Sequence, residues 1–144
     1  MVIRGGLLTG FTIAKFSKKM FLGVNFKKLV NSFKFAVSGA KSIFQEEQTF
    51  RIEILIAILV IIAMFYFNLL PFEKAIIFIM IFLVLAAELT NSLLERILDV
   101  IHPSLNLQVK KIKDISSAIV LFSCFAAIIV GILIFLPYLD KFLK

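Results

Sequence analysis

The sequence has little acidic charge and only one cysteine: nine Asp and Glu stand against sixteen Lys and Arg, and Cys124 is alone. A single thiol excludes an intrachain disulfide, and its place inside an apolar run makes core filling its simplest role. A glycine-rich nucleotide loop is also missing. SGAKS (Ser38–Ser42) resembles a fragment of a phosphate loop, yet Gly does not directly precede Lys and no predicted strand comes before it. That excludes the standard soluble nucleotide-loop kinases. GLLTGFTIAKF follows Arg4 like a short leader, but no small-residue cleavage site comes after it. The expectation is therefore a variable extension over 1–24, with Met20 an alternative start.

What is present is hydrophobic. The 144-residue chain is 61% hydrophobic, with a mean hydropathy of +1.05, values that belong to membrane proteins. A net charge of +7 would suit nucleic acid, but a polyanion-binding domain would not be this apolar, so no nucleic-acid partner is expected. Three apolar stretches stand out: Ile54–Leu70, Ala75–Ala87 and Ala118–Leu136. A hydrocarbon core takes about 20 helical residues. The first and third nearly qualify alone, and the second qualifies only by carrying Glu88 and its neighbours towards Leu94. The expected spans are about 51–70, 74–98 and 114–137, with a turn at Pro71, Glu73 and Lys74 between the first two. Upstream, Phe26, Leu29, Val30, Phe33, Val37, Ala40 and Phe44 recur at helical spacing. Lys27, Lys28, Asn31, Lys34, Ser38 and Lys41 take the opposite face. This predicts an amphipathic helix over 26–45 lying in the membrane interface. The fold class is thus all-α membrane protein, a surface helix plus three transmembrane helices within one 25–144 domain.

Lys and Arg are concentrated before the first span and in the second loop, where Arg96, Lys110, Lys111 and Lys113 fall. The first turn has only Lys74, and the C-terminal tail has Lys141 and Lys144. The positive-inside rule places the N-terminus and second loop in the cytoplasm.

Under that topology Glu46, Glu47, Glu53, Glu88, Glu95, Asp99 and Asp114 gather at the cytoplasmic edge, with Arg51, Arg96 and Lys113. Glu88, Asn91, Glu95 and Asp99 follow one helical stripe, and Glu47 and Arg51 form an i, i+4 pair. A carboxylate at the centre of a membrane helix costs about 2.5–3.5 kcal/mol on insertion scales and marks a functional interior. Glu88, the deepest, is the candidate active carboxylate. The plain alternative is helix–helix glue, which suits Asp99, Glu46 and Arg96 better than it suits Glu88, Asn91 and Glu95 together. His102, before Pro103, reads as a helix end rather than a metal ligand. Carboxylates with an asparagine are hard oxygen ligands suited to Mg²⁺, and a lysine and an arginine can neutralise phosphate. A site between membrane and cytosol suits transfer from a nucleotide to a lipid. A proton or cation pathway, or a non-catalytic membrane oligomer, would use similar residues.

ELTNSLLERILD (Glu88–Asp99) resembles the signature E-x-x-N-[ST]-x-[IL]-E-x-x-x-D of the small prokaryotic diacylglycerol kinase and undecaprenol kinase family. EEQTFRIE (Glu46–Glu53) is similar to its E-x-x-F-R element, and KKIKDISSAIV (Lys110–Val120) to its K-D-x-x-[SA]-A-[AI]-V element. The resemblance runs without gaps from about Asn25 to Pro137. It implies a homotrimeric lipid kinase of the bacterial inner membrane, with active sites between chains facing the cytoplasm. Glu88 would be the general base, and Glu47 and Glu95 would bind the Mg²⁺ that carries ATP. Asn91, Lys113 and Asp114 would contact the nucleotide or hold the site together. Ser117, Arg51, Lys28 and Asp99 have less defined roles. Glu46 beside Glu47 departs from relatives that place a neutral or basic residue there. Glu53 after FRI resembles the diacylglycerol members and AMFYFNLLPFEKAIIF the undecaprenol kinases. Diacylglycerol is the expected lipid, with undecaprenol the alternative.

Overall fold

The computed structural model describes residues 25–102 and 106–143. The expected extension over 1–24 lies outside them. The described chain forms four helices: α1 (Phe26–Glu46), α2 (Gln48–Tyr66), α3 (Pro71–Ile101) and α4 (Leu107–Leu143). No strand occurs among the described residues. The protein is an all-α, multi-pass membrane protein, with α2, α3 and most of α4 long and apolar enough to cross a bilayer. Two compact units are distinguished, one ending at Gly39 and one beginning at Ala40.

The start of α1 is capped by Asn25, whose Oδ1 accepts the Lys28 backbone N–H at 3.2 Å. No residue of α1 is buried, and Phe26, Leu29 and Phe33 stand exposed. That suits a helix whose apolar stripe meets an interface rather than a core.

In the second unit α3 packs against both α2 and α4. Met64, Leu69 and Ile77 form the tightest core, with Phe67, Phe135 and Tyr138 packed around it. This core sits at the end where α2 turns into α3. The turn differs from the expected one. Phe67, Asn68, Leu69 and Leu70 make it, whereas Pro71 opens α3 and Glu73 and Lys74 lie in its first turn. Asn68 adopts the left-handed conformation (φ 49), which Asn tolerates better than most residues. Pro71 suits the first helical position because that N–H has no intrahelical partner. Glu73 Oε2 accepts both the Leu70 N–H at 2.8 Å and the Tyr138 hydroxyl at 2.6 Å, clasping α4 to the turn. That clasp and the Phe135 packing carry α4 through Pro137 to Leu143, beyond the expected end at 137. Proline removes one backbone donor, a loss that neighbouring helices make tolerable in a membrane.

Helix length sets where polar groups fall. Seventeen residues separate Pro71 from Glu88, a rise of about 25 Å against a hydrocarbon core of about 30 Å. Twenty-one residues from Ser116 to Pro137 rise about 31 Å along α4. Glu88 and Ser116 therefore lie at the same membrane edge, opposite the α2–α3 turn. Only 17%, 17% and 11% of the most apolar windows of α2, α3 and α4 is buried within the chain. The remaining side chains are stable in hydrocarbon and would not be in water.

Candidate functional site

The polar edge is built from the end of α1, the start of α2, the second half of α3 and the start of α4, all within the unit beginning at Ala40. Glu47 is the residue between α1 and α2, with extended backbone (φ −99, ψ 117) at the head of α2. That placement breaks the expected Glu47–Arg51 pair, because i, i+4 neighbours meet only along continuous helix. Arg51 instead donates from Nη1 to the Gln45 carbonyl at 3.2 Å, tying α2 to the end of α1. Arg96 of α3 is the cation that reaches the two glutamates, with Nη2 2.9 Å from Glu46 Oε2 and 3.8 Å from Glu47 Oε1. Glu46 also accepts the Ser42 hydroxyl at 2.7 Å. Arg96 and Glu46 thus link α3 to the end of α1.

Glu88 is 5% exposed, an unusual degree of burial for a carboxylate. Glu47 and Glu95 are both close enough to act on it electrostatically, so three carboxylates from the α1–α2 junction and α3 converge. Glu53 of α2, six residues beyond Glu47, also interacts with Glu88. Its Oε1 lies 4.0 Å from the Cys124 sulfur, and its Oε2 is buried without a hydrogen-bond partner. An apolar cavity of about 330 Å³ opens between α2, α3 and α4 beside this carboxylate. Ala57, Val84, Cys124 and Gly131 are among its walls, and among the described residues Glu53 is its one acidic lining residue.

Along α3 the stripe continues. Asn91 Nδ2 faces Glu95 Oε1 at 3.4 Å, a long contact, while Asn91 Oδ1 accepts the Ser116 hydroxyl of α4 at 2.5 Å. Asp99 accepts from Lys113 Nζ at 2.5 Å. Lys113 also offers its carbonyl to the Ser116 and Ser117 hydroxyls, at 3.1 and 3.0 Å. Asp114 and Ser117 are solvent-exposed beside it. Lys28 belongs to the other unit, on a turn of α1 where its carbonyl accepts the Ser32 hydroxyl at 3.0 Å.

Of the residues proposed from sequence, Glu47 at the α1–α2 junction and Glu88, Asn91 and Glu95 on α3 are brought together, and Lys113 joins Asp99 at the rim. Sequence reasoning passed over Ser116 in favour of Ser117. A helical signal existed: Val109, Ser116 and Val120 are the buried positions at the start of α4, spaced seven and four apart. The role of Glu53 at a cavity wall had no local signal, since it depends on α4 lying opposite.

Among the described residues no three His, Cys, Asp or Glu groups form a ready metal cage. Mg²⁺ does not need one, because phosphate and water supply most of its six ligands. Glu47 and Glu95, which both act electrostatically on Glu88, each offer a hard carboxylate oxygen of the kind such an ion takes.

The sequence model of the prokaryotic diacylglycerol kinases matches residues 34–135, which include every residue named here except Lys28 and those at the start of α1 and end of α4. A diacylglycerol kinase of Haemophilus influenzae is 32% identical over 108 residues, covering 74% of this chain and 92% of that protein.

Proposed function

Because this chain belongs to the prokaryotic diacylglycerol kinase family, we propose that it phosphorylates diacylglycerol to phosphatidic acid at the polar edge around Glu88. Family membership makes it a membrane lipid kinase with ATP as co-substrate, which sets aside the non-catalytic oligomer and the ion pathway. The observation that carries the site assignment is the burial of Glu88, 5% exposed, beside two further carboxylates at the membrane edge. A packing role would not call for three carboxyl groups in one place, whereas phosphoryl transfer needs both a base and hard ligands there.

The chemistry follows from those positions. Glu88 takes the proton from the lipid hydroxyl as its oxygen attacks the γ-phosphorus, and the bond to ADP breaks. Glu47 and Glu95 would hold an Mg²⁺, which would supply charge neutralisation at the ATP phosphates. Asn91 orients Glu95, and Lys113 leaves Asp99 to meet a phosphate oxygen, with Asp114 beside it. Arg51 fixes the α1–α2 junction that presents Glu47. Ser117 and Asp99 act at the rim, and Lys28 stands on the interfacial helix. The cavity beside Glu53 takes an acyl segment. The site faces the cytoplasm of a bacterial inner-membrane protein. The chains assemble as a homotrimer, with each site completed by a neighbour.

Glu53 after FRI and the similarity to the diacylglycerol kinase of Haemophilus influenzae support diacylglycerol over undecaprenol. Purified protein in mixed micelles is offered each lipid separately with labelled ATP and Mg²⁺. Labelled phosphatidic acid is expected. Labelled undecaprenyl phosphate alone would reject the lipid assignment, and neither product would reject the site.

A further inference from the structure

Asn91 is flanked by a group that neither the resemblance nor the stripe pattern assigns. Ser116 is 4% exposed on the inner face of α4. Its Oγ lies 2.5 Å from Asn91 Oδ1 and 3.1 Å from the Lys113 carbonyl oxygen. A hydroxyl carries one proton, so it donates to one of these acceptors at a time while its lone pairs stay free to accept. A primary amide has a donor end and an acceptor end, and nothing in its shape decides which end faces which neighbour.

From this geometry we infer that Ser116 is the positioning residue for Asn91, its hydroxyl setting which end of the Asn91 amide faces Glu95. This rests on the proposed reading of Glu95 as a ligand of the nucleotide's metal. When Ser116 donates to Asn91 Oδ1, the amide NH₂ is directed at Glu95 Oε1, 3.4 Å away. The carboxylate is then held by a donor while it has no cation. With a cation on Glu95, an NH₂ pointing at it is unfavourable and the carbonyl end is preferred. Ser116 can serve that state too, by turning its proton to the Lys113 carbonyl and accepting from Asn91 Nδ2. Its partner contacts for both states are already in place on α4. Alanine can support neither orientation. Ser117, exposed and bonded only to the Lys113 carbonyl among the described contacts, cannot substitute.

The test uses full-length protein in mixed micelles, with Ser116→Ala, Ser116→Cys, Asn91→Ala and the Ser116→Ala/Asn91→Ala double variant. Cysteine leaves no cavity and weakens the donor, so a packing defect in the alanine variant does not decide the matter. Three quantities are measured: the Kd for Mg-ADP by titration calorimetry, and the KM values for Mg-ATP and for lipid. Both single serine variants are expected to raise the nucleotide Kd and KM about threefold to tenfold, the worth of one hydrogen bond. The lipid KM is expected to stay within about twofold. In the Asn91→Ala background, Ser116→Ala is expected to add less than about twofold, because the partner it acts through is gone. Unchanged nucleotide affinity in both serine variants would overturn the inference. So would a full-sized effect of Ser116→Ala without Asn91, which would leave the hydroxyl a packing role alone. Failure of the wild type to phosphorylate any lipid would reject the kinase site, and is a separate result from these binding constants.

Discussion

Replacing Asp99 by asparagine separates a rim ion pair from a direct ligand. Lys113 Nζ sits 2.5 Å from Asp99 Oδ1, but the two side chains keep 32% and 66% of their exposure. A pair this open to water is worth about 0.2–1 kcal/mol, which is a factor of about 1.4–5 in an equilibrium constant. In the proposed site Lys113 has two competing anions, Asp99 and the phosphate of the bound nucleotide. Removing the charge of Asp99 frees the ammonium, so the KM for Mg-ATP should fall, by no more than about fivefold, with kcat nearly unchanged. The gain should be largest near 0.01 M salt, where the screening length is about 30 Å, and should fade near 0.15 M, where it is about 8 Å. The assay is steady-state phosphorylation in mixed micelles at the two salt concentrations. A rise in KM beyond about fivefold with a loss of kcat would refute the reasoning, since Asp99 would then touch nucleotide or metal itself. A change independent of salt would refute it as well.

Other consequences follow from other parts of the molecule. Glu95→Gln keeps the shape and removes an anionic ligand, so the Mg²⁺ concentration for half-maximal rate should rise at least about tenfold. An unchanged magnesium titration would remove Glu95 from the metal. Met64 is fully buried between α2, α3 and α4. Met64→Ala should lower unfolding stability by about 2 kcal/mol, the low end for such a cavity, because lipid tails are as apolar as the side chain removed. Denaturation in micelles with unchanged stability would mean the cavity refills. Tyr138→Phe deletes the hydroxyl that clasps Glu73 at 2.6 Å, and should lower the thermal midpoint while leaving the KM for ATP alone. A shift in nucleotide affinity would show coupling from the turn to the polar edge.

Much of this could be read from the sequence, and the boundary has physical causes. The spans are visible because hydrocarbon demands long unbroken apolar runs, and the stripe from Glu88 to Asp99 is visible because helical periodicity places those residues together. Family motifs named the same residues independently. What the sequence concealed depends on how helices meet. Glu47 and Arg51 are four apart, yet the extended backbone at Glu47 parts them, and Arg96 reaches Glu47 from α3. Pro71 reads as part of a turn and 137 as the end of the third span, but Pro71 starts a helix and Pro137 is carried within one. Ser116 and Ser117 are chemically alike, and only the rotation of α4 against α3 selects the one that bonds Asn91.

The most direct measurement compares Glu88→Gln with wild type in two assays on the same preparation: lipid phosphorylation in mixed micelles and equilibrium binding of Mg-ADP. Loss of a general base costs about 10²–10⁴ in rate. The expected result is a kcat lowered by at least about a hundredfold with nucleotide affinity retained within a few fold. A variant that still phosphorylates diacylglycerol at a rate near wild type, in the same folded assembly, would contradict the role of Glu88 as the base.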